Sequence, residues 1–293
     1  MTYVTEENLT DLAIERWSNI PDPRLRQIMT SLVKHLHAFI REVEPTQQEW
    51  MNGIMWLTRV GQICDAKRQE FILASDVLGV SMLVDAINNR APGEATPSTV
   101  EGPFHIPNSP HIADGGNMAE GAPGIPTFCT GRITDLDGKP IAGAMLDMWQ
   151  TDGEGLYEAQ IPGAEGYMRG IYHSNPDGSY TVRTVAPIGY TIPMDGPIGE
   201  LMSKTKISHM RPAHIHFHIA APGYKSLTTH LFQKGCQYID TDVVFGVKEP
   251  LIVEFVQKPA GSKAPTGEVM NEPFYEVKYD FKLAKAAAAQ KAA

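Results

Sequence analysis

The chain has 293 residues, enough for one large domain or two modest ones with real cores. Its 42% hydrophobic and 20% charged residues are an ordinary globular balance, and a formal net charge of -9 disfavours nucleic acid or an anionic membrane as partner. No apolar run is long enough to span a bilayer, the acidic N-terminus MTYVTEENLTD lacks a signal-peptide pattern, and the three scattered cysteines, Cys64, Cys129 and Cys236, fit a reducing cytoplasm better than a disulfide framework or a zinc ribbon.

The first 90 or so residues read as helical. Asp22-Pro23 is a start signal, a cap followed by proline at the first helical position. Leu25, Ile28, Met29, Leu32, Val33, Leu36, Phe39 and Ile40 then recur at helical spacing. Thr46 and Glu49 have the pattern of a capping box ahead of a second helix, and a third is expected from about Arg68 to Asn88. Residues 91–126 are rich in Pro and Gly and read as a long ordered loop, a length that is usually functional. From Thr127 onward short strands and tight turns take over, with Asp137-Gly138 and Asp177-Gly178 as hairpin dipeptides. Strands are expected at 129–134, 144–151, 180–185, 214–220, 228–233, 251–256 and 274–279. The fold class is therefore α+β: a helical N-terminal domain over residues 1–98, a β-sandwich over 99–282, and a low-complexity tail over 283–293.

The segment RPAHIHFHIA carries His214, His216 and His218. Residues two apart on a strand share a face, so the histidines point one way and Ile215, Phe217 and Ile219 the other. Neighbouring histidines lie ~7 Å apart at Cα and the outer pair ~13 Å, so at most two can share a metal ion. A solvated strand face that happens to carry histidines is the competing reading. Further donors would have to come from elsewhere. No HExxH or suitably spaced cysteine is present, and the conspicuous residues are two tyrosines in turns, Tyr157 in WQTDGEGLY and Tyr190 in VAPIGY. Taken singly, each is better read as an amphipathic side chain capping a core.

In order, WQTDGEGLY, VAPIGY and RPAHIHF resemble the three ligand-bearing motifs of the intradiol ring-cleavage dioxygenases. The resemblance covers nearly the whole chain, including TVEGPF at Thr99 to Phe104 and DTDVVFGVK at Asp240 to Lys248, and is strongest toward members that act on hydroxyquinol. It implies an iron(III) cofactor held by Tyr157, Tyr190, His214 and His216, with His218 structural or behind the ligands. Two phenolates are hard anionic donors that favour iron(III) over iron(II). It further implies an aromatic 1,2-diol and O2 as substrates, Tyr190 as the ligand that leaves the metal to take a diol proton, and Arg211 as the group stabilising charge on the ring. His230 departs from the Gln common in catechol-cleaving relatives, which leaves open a hydrogen bond behind the metal.

The same resemblance places Leu73, Asp76, Val100, Gly102, Pro103, Phe104, Ile192 and Pro193 around the ring. It implies a homodimer through the N-terminal helices, with a phospholipid at that interface in several members. Rival readings are a catechol or chlorocatechol dioxygenase, a transthyretin-like binding module without catalytic metal, and a zinc hydrolase using His214 and His216.

Overall fold

A computed structural model describes residues 3–65, 68–90 and 92–286. The chain divides into two units between Arg59 and Val60. In the first, a helix not expected from the sequence, α1 (Leu9–Trp17), precedes α2 (Pro23–Val43) and α3 (Gln47–Gln62). The Asp22 carboxylate accepts from the Arg24 and Leu25 amides at 2.7 and 3.0 Å, satisfying donors that a helix start leaves free. The capping box also forms: Glu49 accepts from the Thr46 amide at 2.8 Å, and the Glu49 amide donates to the Thr46 hydroxyl at 3.2 Å. The apolar stripe of α2, including Leu25, Ile28, Leu32, Leu36 and Phe39, is exposed.

In the second unit, the single helix expected from about Arg68 to Asn88 is two: α4 (Glu70–Val77) and α5 (Val80–Asn88). Gly79 lies between them at φ 72, a left-handed conformation that glycine takes without a Cβ penalty. Both helices fall in the same unit as the sheets, so the chain divides well before residue 98, the expected end of the helical domain. Lys248 ties α5 to the following loop by bonding both Asp85 and the Ser98 carbonyl.

After a long irregular stretch come β1 (Pro126–Asp135), β2 (Met145–Trp149), β3 (Arg169–His173), β4 (Ser179–Val185) and β5 (Tyr190–Thr191). A short helix, α6 (Pro197–Ser203), is followed by β6 (Met210–Arg211), β7 (His214–Ala220), β8 (Leu227–Gln233) and β9 (Ile252–Val253). Last come β10 (Val256–Lys258), β11 (Phe274–Lys278) and β12 (Phe281–Leu283). The run expected at 251–256 is broken into β9 and β10, and β3, β5, β6, β12 and α6 are additions. One sheet has the order β3-β2-β7-β8-β9; in the other, β1 is central, flanked by β4 and by β11 and β12. Leu283 is buried in β12; of the tail, residues 287–293 lie outside the described residues.

The two sheets bury one core between them. Ile215, Phe217 and Ile219 of β7 meet Cys129, Tyr180, Val277 and Phe281 from the opposite sheet, and the Phe217 and Phe281 rings lie 4.9 Å apart. Period-two alternation then forces His214, His216 and His218 onto the outer face of that sheet. Among the described residues no helix is long and apolar enough to cross a membrane.

Candidate active site

His214 and His216 are buried, and their Nε2 atoms lie 3.0 Å apart. The Tyr157 hydroxyl is 3.0 Å from His216 Nε2 and 3.0 Å from the Tyr190 hydroxyl. Four side-chain donors from three separate segments thus converge. Two ligands each ~2.1 Å from one ion and at right angles subtend an edge of about 3 Å, so the four atoms fit a single coordination sphere. Both rings present the free nitrogen. His214 Nδ1 lies 2.6 Å from the Pro212 carbonyl and His216 Nδ1 lies 2.7 Å from His230 Nε2, so each Nδ1 can carry the proton and leave Nε2 with its lone pair.

Burial holds His214, His216 and His230 well below the usual imidazole range, with Arg211, His230 and His214 respectively adding to it. All three are neutral at pH 7, as metal ligation requires. Burial also raises the Tyr157 phenol well above its usual range, and Tyr190 raises it further; burial raises Tyr190 while Arg211 opposes it. Two buried phenols can ionise only against a strong local cation, which makes this donor set complementary to a highly charged metal.

The three-histidine grouping of His214, His216 and His230 is the tightest by distance. His230 nevertheless meets His216 at Nδ1, whereas Tyr157 and His214 meet it at Nε2. It lies opposite His216 in the β7–β8 ladder and its other nitrogen sits 2.7 Å from the Thr99 hydroxyl. His230 therefore orients His216 from behind. His218 is partly buried and bonds Thr228 at 2.9 Å, clear of this cluster.

Arg211 stands opposite Tyr190 in the β5–β6 pair. Its Nη1 is 3.3 Å from His214 Nε2, and its Nε donates to Asp242 at 3.2 Å. Burial alone would depress this guanidinium, but Asp242 and the two tyrosines outweigh it, so Arg211 stays charged. Gly246 permits the packing, because a Cβ there would stand 3.0 Å from the Asp242 carboxylate and 3.1 Å from Arg211 Nη2.

A narrow pocket lies beside the cluster. Leu73 and Asp76 of α4, the loop residues Val100, Gly102, Pro103 and Phe104, and Ile192, Pro193, Arg211 and Tyr190 all line it. Every pocket residue expected from the resemblance is brought to this one place, and Val244 joins them. Asp76 is buried, its Oδ1 has no hydrogen-bond partner among the described residues, and burial raises its pKa.

A family profile described as "Dioxygenase" matches residues 100–285, and one described as "Catechol dioxygenase N terminus" matches residues 22–96. The chain belongs to the intradiol ring-cleavage dioxygenase family. It is 49% identical to a 6-chlorohydroxyquinol 1,2-dioxygenase of Cupriavidus pinatubonensis, over 89% of this chain and 95% of that protein. It is 43% identical to a hydroxyquinol 1,2-dioxygenase of Nocardioides simplex, over 96% of each. Among solved structures, hydroxyquinol 1,2-dioxygenase from Pseudomonas putida DLL-E4 superposes with a TM-score of 0.89 at 47% identity, covering 96% of this chain and 99% of that one.

Two features of this dioxygenase escaped the sequence reading. Trp149 stacks on His216 at 4.6 Å and 16°, and Phe104 stacks on Tyr157 at 4.4 Å and 14°. Trp149 begins WQTDGEGLY and Phe104 ends TVEGPF, so proximity to a motif was the available signal. Nothing in a lone aromatic announces which ring it will cover.

Proposed function

We propose that this chain cleaves hydroxyquinol (benzene-1,2,4-triol) between its two adjacent hydroxylated carbons, using O2 at a non-haem iron(III) centre and yielding 3-hydroxy-cis,cis-muconate, the tautomer of maleylacetate. The convergence of Tyr157, Tyr190, His214 and His216 at 3.0 Å spacings beside the pocket that Leu73, Asp76 and Phe104 line carries the reading. Those four residues would hold the ion. Iron(III), when bound, would withdraw electron density from the diolate and open the ring to O2. Tyr190 takes one diol proton, Arg211 faces the ring's developing negative charge, and the apolar wall of Leu73, Val100 and Ile192 excludes water. Purified protein is expected to carry about one iron per chain and a visible tyrosinate charge-transfer band. A colourless, active zinc protein would sink the assignment.

Choice of the triol over catechol rests on Asp76. The substrates differ by one hydroxyl, and an apolar wall separates them poorly. A carboxylate near a dianion would be repelled, but burial raises the Asp76 pKa, and a protonated Asp76 can bond the distal hydroxyl without that penalty. A hydrogen bond between uncharged partners is worth about two- to 13-fold in discrimination. Asp76→Ala should therefore erase most of the kcat/KM preference for hydroxyquinol over catechol. A wild-type preference for catechol would defeat the substrate assignment, whereas an unaltered preference in the variant would remove Asp76 as its cause.

The exposed stripe of α2 supports the same reading's homodimer through the N-terminal helices, with a phospholipid at the interface. Sedimentation and lipid extraction test both, and the chain is placed in the cytoplasm.

A further inference from the structure

Residues 100–104 supply four pocket-lining residues, Val100, Gly102, Pro103 and Phe104, yet belong to no helix or strand. Side chains at the two ends hold the segment. At one end the Thr99 amide donates to the Thr228 carbonyl at 2.9 Å and the Thr99 hydroxyl meets His230 at 2.7 Å. At the other end is His105, which the reaction does not use. Its Nδ1 is 3.1 Å from Glu101 Oε1 and its Nε2 is 3.1 Å from Asp147 Oδ2 on β2. Asp147 also accepts from Ser109 at 2.7 Å, so both of its oxygens are used. The His105 ring lies 4.6 Å from Trp149, whose opposite neighbour is His216.

We propose that His105, as an imidazolium clasped between Glu101 and Asp147, is the positioning residue that latches the pocket-lining loop to β2. Both of its nitrogens must carry protons to satisfy two carboxylates, and only the cation does so. The clasp closes the loop on itself through Glu101 and fastens it to the sheet through Asp147. Asp147 is largely buried, so without the cation it would be left as an unpaired charge. The ionisable groups around His105 are Glu101 on the loop, Asp147 on β2, His216 on β7, which shares Trp149 as a neighbour, and, beyond Glu101, His218 on β7. The hydrogen bonds that the ring donates to Asp147 and then to Glu101 raise the imidazole to about 9. The folded value thus lies above the ordinary one. The latch's contribution is complete below about pH 6.5 and lost as pH rises through about 9.

The identity of the lined pocket rests on the functional reading above, so the test has one arm that needs no turnover. Iron-loaded full-length wild type, His105→Gln and Glu101→Gln are compared at pH 7. Amide exchange across residues 100–106 should quicken about tenfold or more in His105→Gln while β7 is unaffected. KM for hydroxyquinol should rise about tenfold with kcat within about threefold and the visible band unmoved. The thermal-stability gap between wild type and His105→Gln should close as pH passes about 9. With one carboxylate gone, Glu101→Gln should lose its stability at a lower pH than wild type does. Unchanged loop exchange or unchanged KM in His105→Gln overturns the latch, as does a Glu101→Gln profile identical to wild type, which decides alone if His105→Gln fails to fold. Absence of turnover in wild type would overturn the function, while the exchange arm still tests the latch.

Discussion

Arg211→Ala is expected to lower kcat by about 10²–10³ while KM for hydroxyquinol stays within a few-fold, the usual cost of removing one preorganised charge-stabilising donor. The guanidinium is buried and lines the pocket, with Nη1 3.3 Å from His214 Nε2, so its charge acts where little water screens it. The same burial complicates the experiment. Asp242 also accepts from the Gly246 amide at 2.9 Å and, without Arg211, would be a buried anion with no cation. Breaking such a pair costs ~3–5 kcal/mol of stability. The double variant Arg211→Ala/Asp242→Asn removes the orphaned charge, so it should recover stability but not kcat. Melting curves and steady-state rates on both variants separate the two effects. A change in KM alone would make Arg211 a uniform binding contact.

Tyr190→Phe should retain iron through Tyr157, His214 and His216, shift the visible band, and lose about 10²–10⁴ in turnover, the range for a general base. The two tyrosines differ in how firmly they are held. Tyr157 is 3% exposed, stacked under Phe104, and its hydroxyl meets both Tyr190 and His216. Tyr190 is half-buried on a two-residue strand preceded by Gly189, and Arg211 favours its ionised form. A ligand that must leave the metal and accept a proton is better drawn from the second environment than the first. Tyr157→Phe should instead cost iron content first. Unchanged spectrum and rate in Tyr190→Phe would refute its role, and a colourless iron-free Tyr190→Phe would make it a purely structural ligand.

What the sequence determined by itself is local and periodic. The Asp22 cap, the capping box at Thr46, and the opposite facing of His214, His216 and His218 against Ile215, Phe217 and Ile219 follow from rules that act over two to four residues. The family resemblance further pointed to the ligand set, which lies within three short motifs, and to the pocket residues, of which Leu73, Asp76, Ile192 and Pro193 lie outside every motif. Tertiary structure alone decided the rest. Tyr157 and Tyr190, 33 residues apart with no shared periodicity, are brought to 3.0 Å only by the folded chain. The chain divides at Arg59, with α4 and α5 in the same unit as the sheets, and a composition shift cannot register this. The role of His230 depends on its register opposite His216 across a hairpin, and a one-residue slip would have turned it away. Asp76 and His105 differ in the same way. One carboxylate has a buried oxygen with no hydrogen-bond partner among the described residues, and one imidazole is set between two carboxylates from separate segments. Desolvation and charge pairing are properties of a three-dimensional neighbourhood, and no residue type or spacing along the chain reports them.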